Sequence, residues 1–228
     1  MTPFEASEFW PLGGPISKQN IALVIIDMQV DFCAPGGWVD QLGEDVSNTR
    51  SVIEPIREVL DAARAEGLSV IHTREGHLPD LSDLHVNKQW RTRAHGLGIG
   101  DAGKNGRILV HGEPGWQIIP ELTPLDGELV LDKPGKSSFH RTKLADELKR
   151  RGITRLIITG VTSDCCVQST MRDSYEHGFE CVLLEDCTAA VESQNHDATL
   201  DILKAYGGRW GGVANRVAFH QMLEQANG

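Results

Sequence analysis

Short apolar runs of the length of β-strands recur along the chain. Ile21–Ile26 is apolar at every position, which is typical of a central strand buried on both faces of a sheet. The other predicted strands share this short, mostly apolar character: Leu68–His72, Leu129–Asp132, Leu156–Thr159, Glu180–Glu185 and a short last strand at Val213–Ala214. The pattern therefore predicts about six strands.

Segments with helical spacing lie between these runs. In residues 47–66 the apolar side chains fall on one face, and Gly67 is suited to end the helix. Further helices are predicted over residues 142–151, after Cys166, over residues 193–206 and from about Arg216. Strands that alternate with helices form right-handed crossovers and a mostly parallel sheet. We therefore predict a three-layer, Rossmann-like α/β/α fold.

Two regions lack this periodicity. Residues 1–20 are predicted to form an N-terminal arm, and residues 21–228 a single domain. Residues 73–128 show no clean period and contain four prolines. A long region of this kind commonly forms a pocket wall, a lid or an interface. We therefore expect it to contribute to substrate specificity.

Composition narrows the range of partners and locations. The chain has 228 residues and a net charge of −10, which argues against nucleic acid or an anionic membrane as a partner. No apolar run approaches the ~20 residues that a membrane span needs, and the first residues do not resemble a signal peptide. The five cysteines form no C-x-x-C pair. We therefore predict a cytoplasmic protein with reduced thiols.

Reactive side chains stand at the ends of three predicted strands. Asp27 follows the first strand, Lys133 the third, and the adjacent Cys165 and Cys166 the fourth. In a parallel sheet such positions meet at the carboxyl edge, where active sites form. A thiol at a strand-to-helix turn can gain from the positive helix end, which lowers its pKa. Taken separately, inert buried cysteines and solvated turn residues would explain the same pattern.

Three motifs make the chain similar to a known superfamily. They are Ile26–Phe32, then Asp132–Lys133 with Ser138–Phe139, and then Gly160–Val167. In this order they resemble the isochorismatase-like cysteine hydrolases, which include nicotinamidase and N-carbamoylsarcosine amidase. The resemblance implies a catalytic triad of Asp27, Lys133 and Cys166. It also implies an oxyanion hole at the backbone N–H groups of Thr162 and Cys166, and a cis peptide between Val161 and Thr162.

Further segments resemble a narrower group, the biuret and triuret hydrolases. These segments are Arg74–Asp83, Gly106–Gly115 and Asp132–Lys136. The resemblance implies release of ammonia from a small linear ureide through a covalent thioester-like intermediate. Biuret hydrolases tend to carry glutamine before the late Gly-Gly pair, where this chain has Tyr206. That departure leaves triuret or another ureide open.

The resemblance also bears on metal binding, oligomeric state and the residues that contact the substrate. Nicotinamidase binds a metal through an Asp-x-His pair and another histidine, for which the nearest match here is Glu75, His77 and His85. Because the spacing is imperfect, we predict no bound metal, and no cofactor. The family suggests a homotetramer. The candidate substrate-binding residues are Phe32, Gln29, Arg74, Lys136 and Tyr206.

Three other functions remain open at this point. One is a different amidase of the superfamily, acting on ureidoacrylate, an N-carbamoyl amine or nicotinamide. Another is the vinyl-ether hydrolysis of isochorismatase, which does not need the cysteine. The last is a binding or scaffolding protein without activity, which the presence of all three triad residues disfavours.

Overall fold

The computed structural model describes Trp10 and residues 17–225, and it confirms the predicted α/β/α architecture. The strands of its main sheet are β1 Ile21–Ile26, β2 Ser69–Glu75, β3 Leu129–Lys133, β4 Arg155–Val161, β5 Glu180–Ala189 and β6 Gly212–Ala214. Within the described residues these six strands run parallel to one another, in the order β3-β2-β1-β4-β5-β6. The helices are α1 Val30–Cys33, α2 Trp38–Gln41, α3 Ser47–Ser51, α4 Ile53–Ala65, α5 Val86–Ala94, α6 Leu144–Arg150, α7 Gln168–Glu176, α8 Ser193–Gly208 and α9 Arg216–Gln225.

Strand β1 lies at the centre of two hydrophobic layers. Every residue of the strand is buried. Ile21, Leu23 and Ile25 pack into one layer, with residues of α4 and α9. The alternate residues of the strand pack into the other, with residues of α6 and α7. The unbroken apolar run in the sequence thus reflects burial on both faces.

The irregular region at 73–128 contains more structure than its sequence pattern predicted. Strand β2 continues to Glu75, and a small antiparallel hairpin pairs Ala102–Gly103 with Gly106–Arg107. Helix α5 also lies here. All nine of its residues are described, and none of them is fully buried. Apolar periodicity arises from burial of one face, so a helix without such a face gives no periodic signal.

Other differences concern the limits of predicted elements. The helix predicted over residues 47–66 is divided into α3 and α4 at Val52. Helix α8 includes three residues with non-helical backbone angles, Ala205, Tyr206 and Gly207. Most of the predicted arm at 1–20 lies outside the described residues, so the division into arm and domain stays a prediction. Across Trp10 and residues 17–225, no helix is both long and apolar enough to cross a membrane.

Gly160 lies where β4 packs closely against the main chain of β1. It pairs with Ile26 in the sheet register, and its φ is +104°. A Cβ atom at this position would collide with the main-chain oxygen and nitrogen of Ile26. Because Asp27 follows Ile26 directly, this close approach also helps to set the position of the Asp27 carboxylate.

We expect Gly160→Ala to lower the free energy of unfolding by about 2–4 kcal/mol, because it adds a collision to an unfavourable backbone angle. Gly178 is the matched control, with a φ of +82° and open space around it. Gly178→Ala should cost only about 1 kcal/mol. Urea unfolding of both variants measures the difference, and equal losses would contradict the close-packing argument.

Candidate active site

A buried ion pair stands at the carboxyl edge of the sheet. Lys133, the last residue of β3, places its Nζ 2.7 Å from Oδ2 of Asp27, and both side chains are fully buried. Strand β2 lies between β1 and β3, so the lysine reaches across it to the residue that follows β1. The structure thus brings together two of the residues predicted from strand ends.

Each partner of this pair has further hydrogen bonds. The Thr73 hydroxyl donates to Asp27 Oδ1 at 2.6 Å. The Lys133 ammonium also donates to the main-chain oxygens of Gly135 and Lys136, at 2.9 Å each. Burial alone would lower the pKa of Lys133, but the Asp27 carboxylate, together with Cys166 and Glu75, outweighs burial and the net shift is upward. The ammonium therefore stays charged inside the protein.

Cys166 lies on a π-turn, Ser163–Val167, that connects β4 to α7. The peptide between Val161 and Thr162 is cis, as the resemblance implied. The main-chain oxygen of Thr162 accepts hydrogen bonds from the N–H groups of Cys165 and Val167, at 3.1 Å each. This turn directs the Cys166 side chain towards the ion pair.

The Cys166 thiol is buried beside two carboxylates. Potential ligand atoms of Asp27, Glu75 and Cys166 all lie within 4.8 Å of one another. The hydrogen bond with Cys165 and burial both raise the pKa of the Cys166 thiol. Asp27 and Glu75 raise it further, and Lys133 only partly offsets them. The sequence had suggested a pKa lowered by the helix end; the structure instead favours a protonated thiol that needs a base.

Glu75 is a site residue whose place sequence reasoning missed. Its carboxylate is fully buried and accepts a hydrogen bond from the Cys166 thiol at 3.4 Å. In the sheet register Glu75 pairs with Lys133, and Arg74 pairs with Asp132. Alternate residues of a strand point to opposite faces. Thr73 and Glu75 are two residues apart on β2, so their side chains share a face, and Thr73 contacts Asp27. That spacing was the feature of the sequence from which the position of Glu75 could have been inferred.

Two more lysines surround the Glu75 carboxylate. Lys88 Nζ lies 2.6 Å from Oε1, and Lys136 Nζ lies 3.1 Å from both oxygens. Burial alone would raise the pKa of Glu75, but the lysines outweigh it and the net shift is downward. Glu75 is thus an ionised carboxylate within the protein, and a weak base.

Arg74 and Gln29 are engaged with other parts of the chain. Arg74 forms a two-point ion pair with Asp132, and its guanidinium lies 3.6 Å from the ring centre of Trp116. The buried Gln29 amide donates to the main-chain oxygens of Glu75 and Trp116, and accepts from the Glu75 N–H. Gln29 therefore fixes the backbone of Glu75. The substrate-binding roles of both residues stay predictions.

Phe32 and Tyr206 lie in contrasting environments. Phe32 is buried, and its ring centre lies 6.1 Å from that of Trp38. Tyr206 is 82% exposed as a residue, and its ring lies against Arg209, so the structure does not place it in the buried cluster. Substrate contact at these two positions stays a prediction, as does the oxyanion role of Thr162.

The acidic and sulfur groups do not fit a metal site. Lys133 is already paired with Asp27, and both oxygens of Glu75 are occupied by ammonium groups. His77 has Lys88 Nζ 3.0 Å from its Nε2 and Asp83 3.3 Å from its Nδ1. The His85 side chain is exposed at the start of α5. A metal ion at Glu75 and His77 would have to displace a lysine.

Comparison with known proteins extends over almost the whole chain. The family model described as the isochorismatase domain matches residues 21–214. A cysteine hydrolase from Pseudomonas syringae pv. phaseolicola has 26% identity and a TM-score of 0.79, covering 93% of this chain and 96% of that one. An isochorismatase family protein from Desulfovibrio vulgaris has 27% identity and a TM-score of 0.74, covering 90% and 98%.

A more distant structure shares the fold alone. It is a pyrazinamidase of Pyrococcus horikoshii in complex with zinc, at 23% identity and a TM-score of 0.63, covering 86% of this chain and 99% of that one. The fold therefore extends to a protein of this kind.

We expect Glu75→Gln to lower the pKa of Cys166, because it removes a negative charge next to the thiol and leaves Lys88 and Lys136 unbalanced. The pH at which alkylation by iodoacetamide is half-maximal should fall by about one unit or more. The measurement is made in a Cys165→Ala background, so that of the two adjacent thiols only Cys166 can be alkylated. Glu176→Gln, at an exposed site on α7, should leave the profile in place; an unshifted Glu75→Gln profile would contradict the assignment.

Proposed function

The chain belongs to the isochorismatase family, and we propose that within it the protein is a cysteine amidohydrolase of small linear ureides. The reaction would cleave a terminal C–N bond and release ammonia, with triuret or biuret as the leading substrate. The observation that carries the proposal is the buried pair of Asp27 and Lys133 at 2.7 Å, with the Cys166 thiol beside it. These are a base, a cation and a nucleophile at one point.

In the proposed first step, Cys166 attacks the substrate carbonyl as its proton passes to Asp27. Lys133 stabilises the thiolate and stays protonated throughout, because its net pKa shift is upward. The carbonyl π electrons move to the oxygen, and the N–H groups of Thr162 and Cys166 would donate hydrogen bonds to the resulting oxyanion. One such donor typically contributes about 3 kcal/mol to transition-state stabilisation.

In the second half the tetrahedral intermediate collapses. The C–N bond breaks as Asp27 returns the proton to nitrogen, and ammonia leaves a thioester-like acyl group on Cys166. A water molecule then gives its proton to Asp27 and attacks the acyl carbon. The C–S bond breaks, the thiolate regains the proton, and the shortened acid is released.

The balance of formal charge supports an anionic intermediate. Three lysines, at positions 88, 133 and 136, face the carboxylates of Asp27 and Glu75. Three positive and two negative charges leave one positive charge in excess. When the thiol proton passes to Asp27, one negative charge moves from that carboxylate to the oxyanion, and the cluster keeps its positive charge in excess. That excess favours the negative charge that develops on the oxygen during attack.

The polar character of the cluster supports a ureide. A ureide presents amide N–H and carbonyl groups along its length, which can pair with carboxylates and ammonium groups respectively. Lys136 is the more accessible of the lysines on Glu75, with a side chain 39% exposed. We propose that it receives the distal carbonyl of the substrate. A cytoplasmic location and a homotetramer complete the proposal.

We expect Cys166→Ala to abolish ammonia release, at least about 10³-fold, while Cys165→Ala keeps most of it. The assay covers biuret, triuret, nicotinamide, ureidoacrylate and N-carbamoyl amines, each with and without a chelator. Circular dichroism verifies the fold of both variants. Undiminished release by Cys166→Ala would refute the nucleophile; loss of activity with the chelator would refute the metal-independent chemistry.

We expect Tyr206→Gln to shift the turnover ratio from triuret towards biuret by several-fold, because a carboxamide offers both a donor and an acceptor to a shorter substrate. Tyr175, another exposed tyrosine, supplies the control Tyr175→Gln. The measurement is kcat/KM for each substrate. A ratio that stays the same in the Tyr206 variant would exclude this residue from length selection.

A further inference from the structure

Helix α5 lies on the outside of the molecule but sends one lysine into the active site. None of its nine residues, all of them described, is fully buried, and Val86 and Trp90 are largely exposed. Lys88 extends inward from the helix, with 19% of its side chain exposed. A lysine on a solvated helix normally keeps its ammonium in water. Its inward direction therefore indicates a specific role.

Three acceptors meet at the Lys88 ammonium. Its Nζ lies 2.6 Å from Glu75 Oε1, 3.0 Å from His77 Nε2 and 2.7 Å from the main-chain oxygen of Pro134. An ammonium has three N–H donors, so this arrangement satisfies all of them. A carboxylate, an imidazole and a carbonyl are also the kinds of group that bind a divalent metal ion. The lysine thus occupies a position with the donor set of a cation site.

The state of His77 agrees with this arrangement. Because Lys88 can only donate, Nε2 of His77 must accept and the ring must be neutral. Its Nδ1 then carries the hydrogen and faces Asp83 at 3.3 Å. Burial, together with the charge of Lys88, lowers the pKa of His77 to about 4, so the neutral ring persists at physiological pH.

We propose that Lys88 is a built-in cation of this active site, whose ammonium holds Glu75, His77 and the Pro134 carbonyl together as a metal ion would. It connects the end of β2 to the segment that follows β3, where Pro134 adjoins Lys133. Lys88 is a positioning residue, because it acts through Glu75. The other carboxylate oxygen of Glu75 accepts a hydrogen bond from the Cys166 thiol. Lys88 also anchors α5 beside the site.

Chemical rescue tests the proposal. Lys88→Ala removes three carbons and the ammonium, which together equal propylammonium. The variant should melt at least about 5 °C below the wild type, because a buried carboxylate loses a partner. Propylammonium chloride should restore at least half of this loss. Propan-1-ol, of similar shape but uncharged, and sodium chloride at the same ionic strength should restore none.

Two controls locate the effect at Glu75. Lys149→Ala removes an exposed lysine from α6 and should melt within about 1 °C of the wild type, with no response to propylammonium. The double variant Glu75→Gln/Lys88→Ala should show no rescue, because the carboxylate that attracts the cation is gone. Rescue by propan-1-ol as strong as by propylammonium would overturn the proposal.

A second readout separates positioning from simple packing. In the Cys165→Ala background, loss of the Lys88 charge should raise the pH of half-maximal Cys166 alkylation by about 0.5 unit. Propylammonium should reverse the shift. The other groups that act on this thiol, Asp27, Glu75, Lys133 and Lys136, are unchanged in the comparison. A profile equal to that of the Cys165→Ala parent would contradict a role through Glu75.

Conservative variants cover the case in which Lys88→Ala fails to fold. Lys88→Arg keeps the charge, and Lys88→Met keeps much of the shape without it. The arginine variant should melt closer to the wild type than the methionine variant does, and the opposite order would overturn the proposal. These thermal and alkylation readouts need no substrate. They can therefore fail while the proposed ureide chemistry stands, and the reverse is also true.

Discussion

The buried ion pair between Asp27 and Lys133 is the interaction on which the site depends. Removing two charges from water costs several kcal/mol for each ion, and only close geometry with complete hydrogen bonding offsets that cost. Here the Thr73 hydroxyl donates a second hydrogen bond to the Asp27 carboxylate, and the main-chain oxygens of Gly135 and Lys136 accept the remaining hydrogen bonds of Lys133. The segment after β3 must therefore fold back over its own lysine. That turn also carries Lys136 towards Glu75.

The register of a parallel sheet decides which side chains can join this pair. Glu75 stands opposite Lys133 on one face, and Arg74 stands opposite Asp132 on the other. A slip of one residue between β2 and β3 would place Arg74 opposite Lys133 and direct Arg74 into the site. The buried apolar residues of β1 and β2 oppose such a slip because they pack on defined faces. The hydrophobic core thereby determines the electrostatics of the active site.

The resulting charge arrangement suits a thiol that stays protonated until substrate is present. Two carboxylates next to Cys166 raise the pKa of the resting thiol, while the lysines keep an excess positive charge for an oxyanion. A free thiolate would be open to oxidation and alkylation. In the proposed reaction, proton transfer to Asp27 forms the thiolate at the moment of attack. Lys88 and Lys136 keep Glu75 ionised, which favours Asp27 as the group that moves the proton.

The sequence by itself determined the sheet, its buried centre and the strand ends that carry Asp27, Lys133 and Cys166, because burial and motif order are local properties of the chain. Only the tertiary structure decided that Glu75 faces the thiol, that Arg74 turns away, and that Lys88 enters from an exposed helix. Helix α5 left no periodic signal because it buries no face. The partners of Glu75 lie 13, 61 and 91 residues along the chain, at Lys88, Lys136 and Cys166. Such contacts leave no pattern in the sequence. A charged residue at a solvated turn and a charged residue in a buried cluster have the same sequence signature, and only the sheet register shows which of them has charged neighbours.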